Sequence, residues 1–164
     1  MNMLDQDREG IVKTFGNKLR VRVNGIYVED GRILMIRHKS LGESGIFWSP
    51  PGGGMEFGSS VSENLEREFQ EETGLRVKMG RFLFVHEYLR APLHAVELFF
   101  AVDKIGGRLE LGKDPEMADA QIISEVRLMS MNEIKSIDKA SRHQVFELCD
   151  SVDELLQLSG YYRL

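Results

Sequence analysis

Residues 52–75 read GGGMEFGSSVSENLEREFQEETGL, and the rest of the chain is best read outward from them. Ser60-Val61-Ser62-Glu63 has the Ser-x-x-Glu spacing of a capping box, so a helix should open there and run to Thr73, where Gly74 supplies the left-handed stop. At about 100° per residue, Val61, Leu65 and Phe69 form an apolar stripe, and Glu68, Glu71 and Glu72 fall in an arc beside it. Like charges at i,i+3 and i,i+4 cost a helix roughly 0.2–0.5 kcal/mol each. Glu71 and Glu72 also lie in the last turn, where the helix dipole favours cations. Two readings are open: a solvated acidic face, or three carboxylates focused on a hard divalent cation, Mg²⁺ or Mn²⁺, which relieves their repulsion. Gly52-Gly53-Gly54 just before the helix favours the second, because glycines let backbone approach an ion or phosphate closely.

Upstream, Leu19–Val28 and Arg32–Arg37 are apolar runs joined by Glu29-Asp30-Gly31, which predicts a β-hairpin. The stretch 38–58 is rich in Gly, Ser and Pro and reads as a long loop. Downstream, 75–89 and 94–105 read as neighbouring strands, 108–111 as a short strand after Gly106-Gly107, and 112–118 as a loop. Residues 121–129 read as another strand, and 131–137 and 142–158 as helices. This mixed α/β order, without repeat or linker, predicts a single domain over 1–164.

Composition narrows the function. The chain is 42% hydrophobic and 29% charged, ordinary for a globular protein. A net charge of −5 argues against long nucleic acid as a partner, which needs a basic face. No apolar run reaches the roughly 20 residues of a membrane span and the amino terminus lacks a secretory signal, so a cytoplasmic protein without a membrane partner is expected. Cys149, the one cysteine, reads as a core-facing helical residue.

The span Gly53–Leu75 resembles the Nudix box, Gly-x5-Glu-x7-Arg-Glu-U-x-Glu-Glu-x-Gly-U, where U is a bulky apolar residue. Gly53, Arg67, Glu68, Phe69, Glu71, Glu72, Gly74 and Leu75 fall in register, and Ser59 stands where Glu is expected. The resemblance implies an α/β/α sandwich with a mixed β-sheet between helices, and a Mg²⁺- or Mn²⁺-dependent hydrolase of a small nucleotide substrate. It implies that Glu68, Glu71 and Glu72 face the metal, that the carbonyl of Gly52 or Gly53 is a further ligand, and that Arg67 orients Glu68 and Glu71. The group that accepts the attacking water's proton stays open between Glu68 and a loop acid, Glu116 or Asp114. Arg37 is a candidate phosphate contact, and Trp48 or Phe47 a candidate for stacking on a base. Glu63 and Glu56 are both placed to supply the carboxylate that Ser59 lacks.

A nucleoside diphosphate linked to another group, such as ADP-ribose or a nucleotide sugar, is the expected substrate. Pro92 falls 17 positions after Leu75, near where ADP-ribose-type members of the family carry a proline. The alternatives are a nucleoside triphosphate pyrophosphohydrolase and a nucleotide-binding module without turnover, the latter at odds with the intact acids. A homodimer is left open.

Overall fold

A computed structural model describes residues 3–39, 41, 42, 44–113 and 122–164. The elements run α1 (Met3–Phe15), β1 (Lys18–Ile26), β2 (Val28–Glu29), β3 (Arg32–Lys39), β4 (Ile46–Ser49), β5 (Gly52–Gly54) and α2 (Val61–Thr73). They continue with β6 (Leu75–Arg90), β7 (Leu93–Gly107), β8 (Ile123–Met129), α3 (Met131–Ser136), α4 (Val152–Gln157) and β9 (Gly160–Arg163).

The strands form two sheets. One is mixed, in the order β5-β1-β7-β6-β9, with β1 parallel to β7 and β9 parallel to β6. The other is antiparallel and centred on β3, which pairs with β2, β4 and β8. Leu65 and Phe69 of α2 are buried with Val23, Leu34, Val77 and Val102, one core. A second core gathers Phe84 and Phe99 with Met131, Ile134, Val145, Phe146 and Leu155 from the carboxy-terminal helical segments. The mixed sheet thus lies between helices, as an α/β/α sandwich requires.

The expected hairpin is cut short. Glu29-Asp30-Gly31 does turn the chain, with Asp30 at φ 50° and Gly31 at φ 71°. Val28 and Glu29 pair with β3 and the Tyr27 carbonyl accepts the Leu34 amide, but the pairing stops there, because β1 lies along β7, where Val23 reaches the α2 core. The presumed loop at 38–58 contains β4 and β5, whose short runs carry too little alternation to read as strands. Residues 142–158 form two helical pieces, a 3₁₀ turn at Gln144–Glu147 and α4, and Asp150-Ser151 breaks the pattern where Ser151 caps α4. Cys149 is buried, as expected, but lies between the two helical pieces and not within one, and burial pushes its thiol up to about 11. Pro92 sits in the two-residue link between β6 and β7.

Residues 108–111 are not a strand. They run past the carboxy-terminal end of α2, where the amides of Glu110, Gly112 and Lys113 donate to the carbonyls of Thr73, Glu72 and Glu71 at 2.9, 3.0 and 3.0 Å. These bonds satisfy carbonyls that a helix end leaves without intrahelical partners. A Cβ at Gly112 would lie 1.9 Å from the Glu71 carbonyl oxygen, so the approach depends on glycine.

Candidate active site

The helix that carries the acids is fixed at both ends. Ser60 and Glu63 form the capping box, and Gly74 closes the helix at φ 71°. Glu68 and Glu72 are 1% and 2% exposed, an unusual burial for carboxylates that implies fixed partners. Glu72 accepts the Gly52 amide at 3.0 Å. Gly53 packs against Glu68 so closely that a Cβ there would lie 2.4 Å from the carboxyl group, and one at Gly52 would lie 2.1 Å from the Val23 carbonyl. No other residue fits at either position without displacing its neighbour.

Arg67 ties the acids together. It donates to Glu71 at 2.7 Å, to Glu68 at 3.0 Å and to the Asn64 side-chain oxygen at 3.1 Å. Its fourth partner answers the question raised by Ser59: Glu56 lies 3.3 Å from the guanidinium, whereas Glu63 bonds to Ser60. Partial burial pulls the Arg67 pKa down, and the three carboxylates outweigh it, so it is raised.

Gly52, Gly53, Glu68 and Glu72 line a cavity of about 260 Å³. The two carboxylates on this lining offer oxygen ligands, which suit a hard divalent cation. Phe15, Leu41, Phe47 and Ile122 line it too, alongside polar residues that include Arg20, Arg22, Asn24, His38, His94 and Glu97. His38 is one of these. Burial, reinforced by the charge of Arg22, pulls its imidazole down to about 4.

Sequence reading missed a second acid centre on the same cavity. Glu97 of β7 is buried and accepts from His86 Nδ1 at 2.8 Å and His143 Nε2 at 2.9 Å, with Arg22 at 3.4 Å from its other oxygen. Burial alone would raise the Glu97 pKa; His143, His86 and Arg22 outweigh it and hold the carboxyl well below the usual range. The three donor atoms lie within 4.8 Å of one another, close enough to suggest a metal site. Hydrogen bonding assigns otherwise: His143 Nδ1 accepts the Val145 amide at 3.3 Å, so the proton of a neutral ring is on Nε2, the atom a metal would need. Arg22 also reaches the Gly52 carbonyl at 3.4 Å and so stands between the two centres.

The other expected site residues fall elsewhere. Arg37 donates to the Ser124 hydroxyl at 3.1 Å and is not part of the cavity lining, while its neighbour His38 is, as strand alternation requires. Trp48 is buried in the core with the Arg127 guanidinium over its ring at 5.5 Å; Phe47 takes the place on the cavity wall. Glu116 and Asp114 lie outside the described residues.

Known proteins resemble this chain in sequence and in fold. The NUDIX domain model matches residues 17–148. An ADP-ribose pyrophosphatase of Methanocaldococcus jannaschii is 40% identical over 101 residues, 60% of this chain and 59% of that protein. A MutT-like protein of Streptomyces ambofaciens is 36% identical over 88 residues, 53% of each chain. The chain therefore spans less than two thirds of either relative. Among solved structures, a NUDIX hydrolase from Nitrosomonas europaea superposes with a TM-score of 0.68 at 19% identity, over 84% of this chain and 88% of that one.

Proposed function

The chain belongs to the NUDIX family, whose members generally use divalent metal ions, and from that premise we propose that it hydrolyses a diphosphate linkage in a nucleoside diphosphate joined to a second group. The observation that carries the reading is the meeting of Glu68, Glu72, Gly52 and Gly53 on the lining of a cavity that also offers apolar side chains for a nucleoside. Glu68, Glu71 and Glu72, with a glycine carbonyl, would hold Mg²⁺ or Mn²⁺. Bound there, the cation supplies neutralisation of the diphosphate oxygens and a lowered pKa for the attacking water.

What the chain itself does is hold these groups in place. Arg67 fixes the carboxylates of Glu68 and Glu71, and the Gly52 amide fixes Glu72, so the acids are oriented before substrate arrives. Apolar side chains on the lining exclude water from the nucleoside and leave the acidic side for the diphosphate. Water adds at phosphorus, the bridging P–O bond breaks, and the products are a nucleoside monophosphate and the phosphorylated second group.

The named relative that cleaves ADP-ribose supports a diphosphate-linked substrate. A panel of ADP-ribose, nucleotide sugars, dGTP, 8-oxo-dGTP and diadenosine polyphosphates, each assayed with Mg²⁺ and Mn²⁺, tests this. The expected result is the highest kcat/KM on a nucleoside diphosphate joined to a sugar. A clear preference for triphosphates would overturn the substrate class and keep the hydrolase.

A further inference from the structure

Strand alternation lays a row of polar side chains along the cavity that the α2 acids border. Arg20, Arg22 and Asn24 of β1 point to the same side of the strand, and all three line it. Register fixes their order: Asn24 is opposite Gly52 and Arg22 is opposite Gly54, with Arg20 farther along. The Arg20 guanidinium lies over the Phe15 ring, 3.8 Å from its centre. Arg22 is the nearer to Gly52, and its Nη2 reaches the Gly52 carbonyl at 3.4 Å. The Gly52 amide in turn donates to Glu72 at 3.0 Å, so a single glycine separates the Arg22 cation from one of the acids.

The simplest role for Arg22 is counter-charge to Glu97, but its contacts leave room for more. Glu97 Oε2 already accepts from two buried imidazoles at 2.8 and 2.9 Å, while Arg22 Nε stands 3.4 Å from Oε1. Both contacts of Arg22 are at the long limit for a hydrogen bond, and they occupy only part of the guanidinium's N–H donors. Among the described residues Nη1 has no hydrogen bond, and it is not sealed in the core as Arg142 Nε is. The Arg22 side chain is 25% exposed, so part of it is open to a ligand. Its charge also acts within the cavity: burial, then Arg22, pull His38 on the same lining down to about 4.

We propose that Arg22 is a substrate-binding residue whose guanidinium hydrogen-bonds the diphosphate beside the acids. This rests on the reading of the function given above and names the cation that the chain itself sets against the phosphates. A guanidinium is a planar fork that can donate to two phosphate oxygens at once. Arg67 is committed to the acids, which leaves Arg22 as the arginine next to Gly52 with donors to spare.

Calorimetric titration with ADP in Ca²⁺, under conditions checked to show no turnover, reads this contact without catalysis. Saturation-transfer NMR with adenosine, which has no phosphate, reads the binding of the rest. Arg22→Ala, checked for folding by circular dichroism, should bind ADP about tenfold more weakly than the wild type and adenosine equally well. Arg22→Lys keeps a charge beside Glu97 and loses the fork, so it should fold and bind ADP about threefold more weakly. Should the alanine variant fail to fold, the lysine variant decides alone. Unchanged ADP affinity in a folded variant, or an equal loss for ADP and adenosine, overturns the contact and leaves Arg22 as the counter-charge of Glu97. Absence of turnover on every diphosphate in the separate panel overturns the function reading and not the binding result.

Discussion

Two buried acid centres border one cavity, and they are built on opposite principles. At the end of α2, Glu68 and Glu71 share one cation, Arg67, while Glu72 beside them accepts the Gly52 amide. At Glu97, a single carboxylate has two histidines and an arginine around it. The first centre concentrates the acids of one helix beside the glycines, an arrangement suited to a hard cation; the second surrounds one carboxylate with donors. Burial of a carboxylate therefore says little about function until its partners are counted.

Removing a charge from each centre should give opposite signatures. Glu72→Gln keeps shape and hydrogen-bonding reach, so its melting temperature should stay near wild type while turnover at saturating metal falls a hundredfold or more. Glu97→Gln should instead destabilise the fold by about 1–3 kcal/mol, because two buried ring donors and the half-buried Arg22 lose their charged partner. Denaturant melts beside kcat for each variant check this, and a reversal of the two patterns would sink the comparison.

His38, on the lining of the same cavity, adds a test through pH. Its pKa is about 6.5 in the unfolded chain and about 4 in the fold, so the unfolded state binds more protons between these values. Stability present above about pH 6.5 is then lost as pH falls through 4, by roughly 3 kcal/mol at most. His38→Asn should flatten that part of the stability profile from pH 7 to pH 4; an unchanged slope would mean that another group carries it.

Smaller effects test the support around Arg67. Glu56→Gln removes its outermost carboxylate and should lower kcat severalfold, and Ser59→Glu should restore that loss or raise wild-type activity. Unchanged kinetics in both would remove Glu56 from the account. Glu63→Ala should lower the melting temperature only slightly, through the lost half of the capping box, with kcat unaffected. A large fall in kcat there would restore the alternative in which Glu63 replaces the missing acid.

Legibility in the sequence followed the same division. The α2 centre could be read because its parts are local: a capping box, an apolar stripe, three acids and flanking glycines within 24 consecutive residues. Glu97, His86, His143 and Arg22 come from β7, β6, the segment after α3 and β1, and each alone looks like an ordinary strand or loop residue. Sheet partners were hidden for a related reason. The turn at Asp30-Gly31 is local chemistry, whereas the parallel pairing of β1 with β7 joins residues more than seventy positions apart, such as Val23 and Leu98. Gly112 shows the limit most plainly, since only the packed structure reveals the α2 carbonyls it must approach.

On the proposed function, the α2 acids, and not the Glu97 centre, take up the divalent cation. Mn²⁺ titration followed by electron paramagnetic resonance, without substrate, addresses it directly in wild type, Glu72→Gln and Glu97→Gln. Mn²⁺ binding should be lost or weakened at least tenfold in Glu72→Gln and persist in the folded fraction of Glu97→Gln. Binding that survives Glu72→Gln and disappears in folded Glu97→Gln would contradict the account.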